Sequence, residues 1–396
     1  MAQKFIQIHT LTNFPASLLN RDDAGFAKRM PFGGAVRTRI SSQCLKRHWR
    51  VYEGEHSLKT VDAPESVRSR VSFDRFVVEP LVQEGVARSV AEAAARKLSD
   101  RIFGTEAKRE KAAQKSKGKA TAAGSPEAGP VSTSQVTVLG RPELDYICQI
   151  ARESIAAADG DATKVESAIE ARTEPKAFRE NLKALKPGSL EAGLGAALFG
   201  RMVTGDILSR TDAAIHVAHA VTVHAQMTES DYFSAVDDLK SEDGELGSGH
   251  INATELTSGL FYGYVVVDVD GLVGNLGGDR LLAGDVIKRL VQIVATVSPG
   301  AKKGSTAPYA YSHLVLAEAG NAQPRTLQNA FIRPVPQHGD VVEGSYKALQ
   351  KHLAELDAMY GKSEVRVHAG LESQAFFESS MNLTSVALWA RSQVIE

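Results

Sequence analysis

The densest group of charged side chains lies in residues 32–50, FGGAVRTRISSQCLKRHWR, which hold five basic residues and no acidic one. The wider window 20–50 holds eight basic and two acidic residues, a local charge of +6, whereas the rest of the chain holds 38 basic and 45 acidic residues, a charge of −7. A basic block on an otherwise acidic chain predicts a binding site for a polyanion. A solvated helix face with unrelated arginines is the alternative explanation. The basic residues of the window are Arg21, Lys28, Arg29, Arg37, Arg39, Lys46, Arg47 and Arg50.

A predicted helix begins inside this block. Residues 41–53, SSQCLKRHWRVYE, have apolar residues at helical spacing, and Ser41 or Ser42 can act as the N-cap. The free N–H groups and the positive dipole end of such a helix favour a bound phosphate, and Gly33-Gly34 permits close approach of the backbone. The pattern therefore predicts a phosphate-binding helix start. The polar side chains that share one face of this helix are Gln43, Lys46, Arg47 and Arg50.

An aromatic pair, Tyr232-Phe233, lies in a polar and acidic segment, residues 226–256, which is predicted to be an exposed loop or a long hairpin. Aromatic side chains on an exposed element can stack on nucleobases or wedge between them. The alternative is a small apolar cluster beneath a loop.

The sequence offers few candidates for catalytic residues or metal ligands. His216, His219 and His224 fall on a predicted strand, where His219 would point to the opposite face from the other two, which is poor geometry for a metal site. The adjacent acids Asp22-Asp23 could help to hold Mg²⁺, but adjacent acids are more common as caps or solvated charges. The glycine-rich segments lack the spacing of nucleotide-binding loops. The sequence therefore predicts no catalytic residue, no metal site and no cofactor.

The chain is predicted to be an α+β protein. Its core elements follow the order strand, helix, strand, strand, helix, strand, which is the ferredoxin-like order of RNA-recognition domains. A mostly helical block, residues 60–195, interrupts this order and contains a low-complexity segment, residues 105–135, that is predicted to be a disordered loop. Residues 12–36 are predicted to be a loop. The predicted core elements are strands at 4–11, 213–225, 257–270, 308–318 and 364–369 and helices at 41–53, 279–298, 345–360 and 383–394.

Composition is that of an ordinary globular protein, with 396 residues, 43% hydrophobic and 23% charged. Two cysteines make neither a disulfide framework nor a metal pattern and fit a reducing cytosol. The alternating N-terminus is not that of a signal peptide, and no apolar run approaches the ~18 residues of a membrane span. A cytoplasmic location is therefore expected.

Several long stretches resemble the CasC family, the backbone subunit of the type I-E CRISPR Cascade complex. LTNFPASLLNRDDAG is followed by FGGAVRTRISSQCLKRHWR, and the similarity continues in order at GRMVTGD (200–206), at HVAHAVTVHAQMTESDYFSAVDDL (216–239) and at TSGLFYGY (257–264). It also covers the segment 281–305, which contains PGAKKGS. Residues 105–135 look like an insertion relative to the family pattern.

The resemblance implies an RRM-like palm built from residues 1–59 and 196–396, a helical fingers domain at 60–195 and a thumb hairpin at about 225–257. It further implies a non-enzymatic subunit, of which several copies assemble helically along one CRISPR RNA with the other Cascade subunits. The exposed bases of the guide then pair with target DNA, so that the protein recognises backbone and shape.

The resemblance also implies roles for single residues. Tyr232 stands where the family usually has Trp, so the stacking ring is smaller. By position, the RNA contacts of the family fall on Arg21, Lys28, Ser41, Gln43, Lys46, Arg50, Met202, Tyr232 and Phe233. The charge pattern adds Arg37, Arg39 and Arg47 to this predicted RNA-binding set.

Two other functions remain open at this point. One is a metal-dependent RNase of the related type III backbone kind, with Asp22 or Asp23 as its acid. The other is a single-strand RNA-binding module that stays monomeric.

Overall fold

The computed structural model describes residues 3–104, 131–203, 207–235, 250–371 and 380–395. The chain divides into two compact units. The first consists of Met1–Val61, Ile215–Val269 and Arg280–Glu396, and the second of Asp62–Ala214 and Asp270–Asp279. The second unit extends beyond the predicted helical block at 60–195. Most of the predicted loop at 105–135 lies outside the described residues.

The strands confirm the mixed α and β class. In the described residues, nine strands form one antiparallel sheet in the order β11-β10-β1-β9-β7-β3-β2, and β6 and β8 also pair with β9. The remaining two strands, β4 and β5, pair with each other in the second unit. The strands are β1 Phe5–Ser17, β2 Arg29–Phe32, β3 Ala35–Ile40, β4 Ser66–Ser69, β5 Thr137–Gly140, β6 Ile215–Val217, β7 Ala220–Thr222, β8 Thr228–Ala235, β9 His250–Asp268, β10 Ser312–Gly320 and β11 Val365–Gly370.

The helices confirm the predicted positions at 41–53, 279–298, 345–360 and 383–394 to within a few residues. No helix in the described ranges is both long enough and apolar enough to cross a membrane. The α-helices are α1 Ser42–Val51, α2 Glu79–Gln83, α3 Arg88–Phe103, α4 Arg141–Ala157, α5 Ala162–Arg172, α6 Pro175–Ala184, α7 Leu194–Phe199, α8 Val269–Asn275, α9 Arg280–Thr296, α10 Lys303–Thr306, α11 Val341–Tyr360 and α12 Leu383–Ile395.

Strand β1 is longer than the predicted strand at 4–11, and the predicted loop at 12–36 was wrong for much of its length, because it contains the end of β1, all of β2 and the start of β3. Proline lacks the N–H that a sheet ladder needs, so Pro15 indicated a loop. The structure accommodates Pro15 because the register between β1 and β9 shifts between Phe14 and Ser17. Such an irregularity lets a strand continue past a proline.

Helix α1 forms where it was predicted, and Ser41 is its N-cap. The Ser41 hydroxyl oxygen accepts a hydrogen bond from the backbone N–H of Cys44 at 3.3 Å. Leu45 and Trp49 lie four residues apart and are buried, so they fix the face that packs on the sheet side of the unit. Gln43 and Arg47 on the same helix are exposed.

The predicted strand at 213–225 is found as two short strands, β6 and β7, which pair with consecutive parts of β9. The polar segment after them contains a hairpin. A long hairpin was one of the two alternatives predicted for this segment. Its arms are β8 and the first part of β9, paired from Thr228↔Thr257 to Ala235↔His250.

A two-residue turn, Gly33-Gly34, joins β2 to β3, and both residues have left-handed backbones with φ of +61° and +80°. A Cβ on Gly33 would lie 1.5 Å from the backbone oxygen of Ile332, whereas a Cβ on Gly34 would meet open space. Only a glycine at position 33 lets the turn rest on this neighbouring segment. This turn type favours glycine at both positions.

The variant Gly33→Ala is expected to lower the free energy of unfolding by about 3 kcal/mol, because it adds a steric overlap to the strain of a left-handed backbone. Gly34→Ala is the matched control and should cost about 1 kcal/mol, since it adds strain alone. Urea unfolding followed by circular dichroism measures both. Equal losses for the two variants would contradict the close approach to Ile332.

Candidate nucleic-acid interface

Three segments of the first unit meet at the start of α1. The Asn20 side-chain oxygen accepts a hydrogen bond from the backbone N–H of Ser41 at 2.9 Å, and the backbone oxygen of Asn20 accepts one from Lys28 at 2.9 Å. The backbone N–H of Ala301 donates to Leu18 at 2.9 Å. The loop after β1 is thus held against both the helix start and the segment after α9.

These segments enclose an open groove with a volume of about 840 Å³. Four of its lining residues are cationic, and none of the lining residues in the described part of the chain is acidic. The first turn of α1 also carries no acid, so its free N–H groups and dipole add to the positive potential. An extended anion such as a ribose-phosphate strand fits this charge distribution. The groove is lined by Leu19, Asn20, Arg21, Lys28, Arg39, Ser41, Gln43, Cys44, Arg47, His48, His219, Gly300 and Ala301.

The groove's two histidines do not supply this positive charge at neutral pH. Burial lowers the pKa of His219, and the nearby Arg39 and Lys28 lower it further. Burial likewise lowers the pKa of His48. Neutral His219 can accept, and the Arg39 Nη1 donates to its Nδ1 at 2.9 Å. The positive charge of the groove therefore comes from its arginines and its lysine.

The structure brings six of the predicted RNA-binding residues together in this groove. Lys46 and Arg50 lie on the same helix but do not line the groove. Their contact with RNA stays a prediction. The six residues that line the groove are Arg21, Lys28, Arg39, Ser41, Gln43 and Arg47.

Arg37 corrects the predicted set. Its side chain is fully buried, and its two terminal nitrogens donate to the backbone oxygens of Thr222 at 2.9 Å and Phe331 at 2.8 Å. A guanidinium held in this way has no access to a phosphate, so Arg37 is a structural residue that joins β3 to two neighbouring segments. Arg29 from the same basic window is also engaged, since it pairs with Glu255 at 2.7 Å.

The variant Arg37→Lys is therefore expected to lower the free energy of unfolding by about 2 kcal/mol, because lysine cannot donate to both carbonyls in the same geometry. The dependence of RNA affinity on salt concentration should not change, since no phosphate contact is lost. Urea unfolding and RNA titrations at several salt concentrations measure the two effects. If the variant instead keeps the stability of the wild-type protein and its RNA affinity depends less on salt, Arg37 would be an RNA-binding residue after all.

Asp22, the acid considered for a metal-dependent RNase, organises a turn. One of its carboxylate oxygens accepts hydrogen bonds from the backbone N–H groups of Ala24 and Phe26, both at 3.0 Å. This is the capping role that short acidic side chains commonly take in turns. These two backbone hydrogen bonds are a structural reason for an aspartate at position 22.

The remaining predicted contacts lie outside the groove lining. Met202 belongs to the second unit, and its side chain is 94% exposed. Tyr232 lies on β8 and is 65% exposed. Phe233 follows it in β8, but its side chain falls outside the described residues. The exposed phenol of Tyr232 is available for stacking.

Sequence reasoning missed three polar groove residues. Asn20 carried a usable signal, because it is the first residue of the basic window and directly precedes Arg21. His48 carried one as well, since it lies between Arg47 and Trp49 on the predicted helix. His219 could not be assigned, because only the pairing of β3 with β7 brings it to Arg39, which is 180 residues earlier.

A family model described as CT1975-like protein matches residues 6–388. The chain belongs to the CT1975-like protein family. A comparison with curated proteins gave no match.

The CT1975-like chain is also similar in fold to subunits of known assemblies. One match is a chain of a CRISPR RNA-guided surveillance complex described as pre-nicking, with a TM-score of 0.77 and 24% identity, covering 98% of this chain and 100% of that one. Another is a chain of a CRISPR RNA-guided surveillance complex, with a TM-score of 0.68 and 21% identity, covering 98% and 99%. Family membership and these matches confirm the resemblance drawn from the sequence. The type I-E subtype stays a prediction.

Proposed function

We propose that this chain binds CRISPR RNA as a repeated backbone subunit of a Cascade surveillance complex and presents the guide for pairing with target DNA in antiviral defence. The observation that carries the proposal is the groove at the start of α1, with four cationic side chains and no acid among its described lining residues. It occurs in a chain whose fold matches subunits of RNA-guided surveillance complexes.

The groove suits the sugar-phosphate backbone of a guide whose sequence varies. Lys28 and Arg47 supply charge to phosphates, and the Gln43 amide can hydrogen-bond to phosphate or ribose oxygens. Such contacts position a strand without reading its sequence. Target recognition is then left to base pairing between guide and DNA. The chain itself needs no catalytic group for this role, and cleavage would fall to another protein.

The architecture supports a palm, fingers and thumb arrangement. The strand order β10-β1-β9-β7 follows the order expected for an RRM-like palm, with α1 and α9 as the two crossing helices. We assign the second unit to the fingers and the hairpin of β8 and β9 to the thumb. Tyr232 on this hairpin would then stack on a displaced base.

Repetition along one RNA follows from the same proposal. Each protomer has one groove for a short length of backbone, so a longer guide accommodates more protomers. The partners are therefore CRISPR RNA, further copies of the chain, the other Cascade subunits and, through the guide, target DNA. The expected place of action is the cytoplasm.

The test is native mass spectrometry of the purified protein with labelled single-stranded RNAs of increasing length. The expected result is a protomer count that rises in steps with RNA length, and incorporation into a particle when the guide and sister subunits are added. A single bound protomer at every RNA length would instead identify a monomeric RNA-binding module. Regularly spaced RNA cleavage in the presence of Mg²⁺ would identify an RNase.

A further inference from the structure

Arg39 and His219 form a pair of a cation and a neutral acceptor in the groove of the first unit. The Arg39 Nη1 donates to the His219 Nδ1 at 2.9 Å, and both side chains line the groove. An arginine stays protonated in proteins and can only donate, so this contact requires an Nδ1 without a proton. The imidazole ring of the free protein is therefore neutral and carries its one proton on Nε2.

The sheet and the loop after β1 bring a third polar residue to this pair. β3 and β7 pair with Arg39 opposite Val221, and His219 directly precedes β7. The backbone N–H of Arg39 donates to the backbone oxygen of Lys28 at 2.8 Å. Three separate segments of the first unit thus present Lys28, Arg39 and His219 to the same groove.

The two charged groups that face His219 are both cationic. They are Arg39 and Lys28, and neither has an ion pair within the described residues. Burial lowers the pKa of His219 most, and these two cations lower it further. A phosphate oxygen beside the ring would act in the opposite sense, because a nearby negative charge favours the protonated form of histidine.

Protonation of the ring also changes its contact with Arg39. A proton on Nδ1 would face the N–H of the Arg39 Nη1, so that two donors oppose each other. An anionic oxygen beside both nitrogens removes this conflict, since it accepts a charge-assisted hydrogen bond from each. We infer that Lys28, Arg39 and His219 form a subsite for one phosphate group of the RNA, which binds there together with a proton on the His219 ring.

This inference rests on the proposed function and deepens it, because it makes RNA affinity depend on pH. If bound RNA favours the proton, the proton favours bound RNA by the same factor. The pKa of His219 is then higher in the complex than in the free protein, so affinity rises as pH falls through the value of the complex. RNA phosphodiesters stay ionised throughout this interval, and the protonated group therefore belongs to the protein.

His48, the other histidine of the groove, has a different environment. Its Nδ1 lies 2.8 Å from the backbone oxygen of Cys44, to which it donates. The charged groups that face it are Lys303 and Arg47. A protonated His48 keeps its hydrogen bond to Cys44, so its charge state does not decide whether an arginine N–H is released to a phosphate.

The test is an anisotropy titration of a fluorescently labelled oligouridylate at about pH 5.5 and about pH 7.5, on either side of the ordinary histidine pKa, at constant ionic strength. Uracil gains no proton in this interval. The wild-type protein is expected to bind about fivefold more tightly at the lower pH. His219→Asn keeps an acceptor near the position of Nδ1 but takes up no proton, so its affinity should change by less than about twofold.

Two other histidines supply the controls. His338 is exposed in the first unit and does not line the groove, so His338→Asn should keep the full pH dependence. His48→Asn should keep most of it. The inference is overturned if wild-type affinity is equal at the two pH values. It is also overturned if His48→Asn loses the pH dependence and His219→Asn keeps it.

Calorimetric titrations in two buffers of different ionisation enthalpy count the protons directly. Near the ordinary histidine pKa of ~6.5, the wild-type protein should take up about half a proton for each protomer bound to RNA, and His219→Asn close to none. Equal uptake by the two proteins would place the proton on another group and reject the subsite. A wild-type protein that binds RNA at neither pH would reject the proposed function, and the subsite with it.

Discussion

Replacing Lys28 and Arg47 together by alanine is expected to weaken binding of a short single-stranded RNA by about a hundredfold, because two charge-assisted phosphate contacts are lost. Both side chains line the groove, and no ion pair is found for either within the described residues. The slope of log affinity against log salt should fall by about 1.4, which is ~0.7 for each phosphate contact on a single strand. RNA titrations at several salt concentrations measure both quantities.

The matched control removes the same charge elsewhere on the first unit. Lys347 and Lys351 are exposed on α11, where they form ion pairs of the i,i+4 type with Glu343 and Glu355. Their joint replacement by alanine should leave the salt slope unchanged, because neither lies in the groove. If this control lowers affinity and slope as much as the groove variant does, binding follows net charge and the groove is not the site.

The second large effect concerns a buried carboxylate that does not line the groove. Glu318 on β10 is fully buried, and it accepts hydrogen bonds from His9 at 3.1 Å and from Arg325 at 2.8 Å, as well as from Arg366. Glu318→Gln removes the most buried carboxylate of this network and leaves Arg325 with Glu364 and Arg366 with Glu364 and Asp357. The free energy of unfolding should fall by about 3–5 kcal/mol, which is typical when one partner of a buried pair is removed.

The same carboxylate makes stability depend on pH. Burial opposes ionisation of Glu318, but the hydrogen bonds from His9 and Arg325 outweigh it and hold the pKa of the carboxyl well below its usual range. A folded-state pKa below the unfolded value contributes stability above the unfolded pKa of ~4.3, and that stability is lost as pH falls toward the folded value. The wild-type protein should therefore lose stability steeply below about pH 4, and Glu318→Gln should lose less over the same interval.

Urea unfolding midpoints across this acidic interval and at neutral pH measure both effects. Glu343→Gln is the control, because Glu343 forms only an exposed pair with Lys347, which typically contributes less than about 1 kcal/mol. A Glu318→Gln protein as stable as this control at neutral pH would show that the buried network does not depend on its central charge.

Local patterns were enough to predict the helix of the groove. Ser41 as N-cap and the buried face of Leu45 and Trp49 depend on residues within one or two turns, so sequence spacing contained the answer. The charge balance of the window likewise indicated an anion site before any contact was known. Both are short-range properties of the chain.

Contacts between residues far apart in the sequence determine which arginines of β3 reach the groove, and the sequence alone could not show this. Arg37 and Arg39 are two residues apart on β3 and looked equivalent. Arg37 is buried because the carbonyl of Phe331 lies against it, whereas Arg39 reaches the groove beside His219. The partners come from segments about 180 to 290 residues further along the chain. No spacing rule within the window distinguishes the two arginines.

Strand β9 runs as one uninterrupted strand from the hairpin that bears Tyr232 to the residue that pairs with Phe5 at the start of β1. Nineteen residues of strand span about 60 Å, so the hairpin and the central sheet share a single stiff backbone segment. The direction of the hairpin is therefore coupled to that of the central sheet through β9. If copies of the chain line up along one RNA, as proposed above, their hairpins would contact that RNA at equal intervals whatever its sequence.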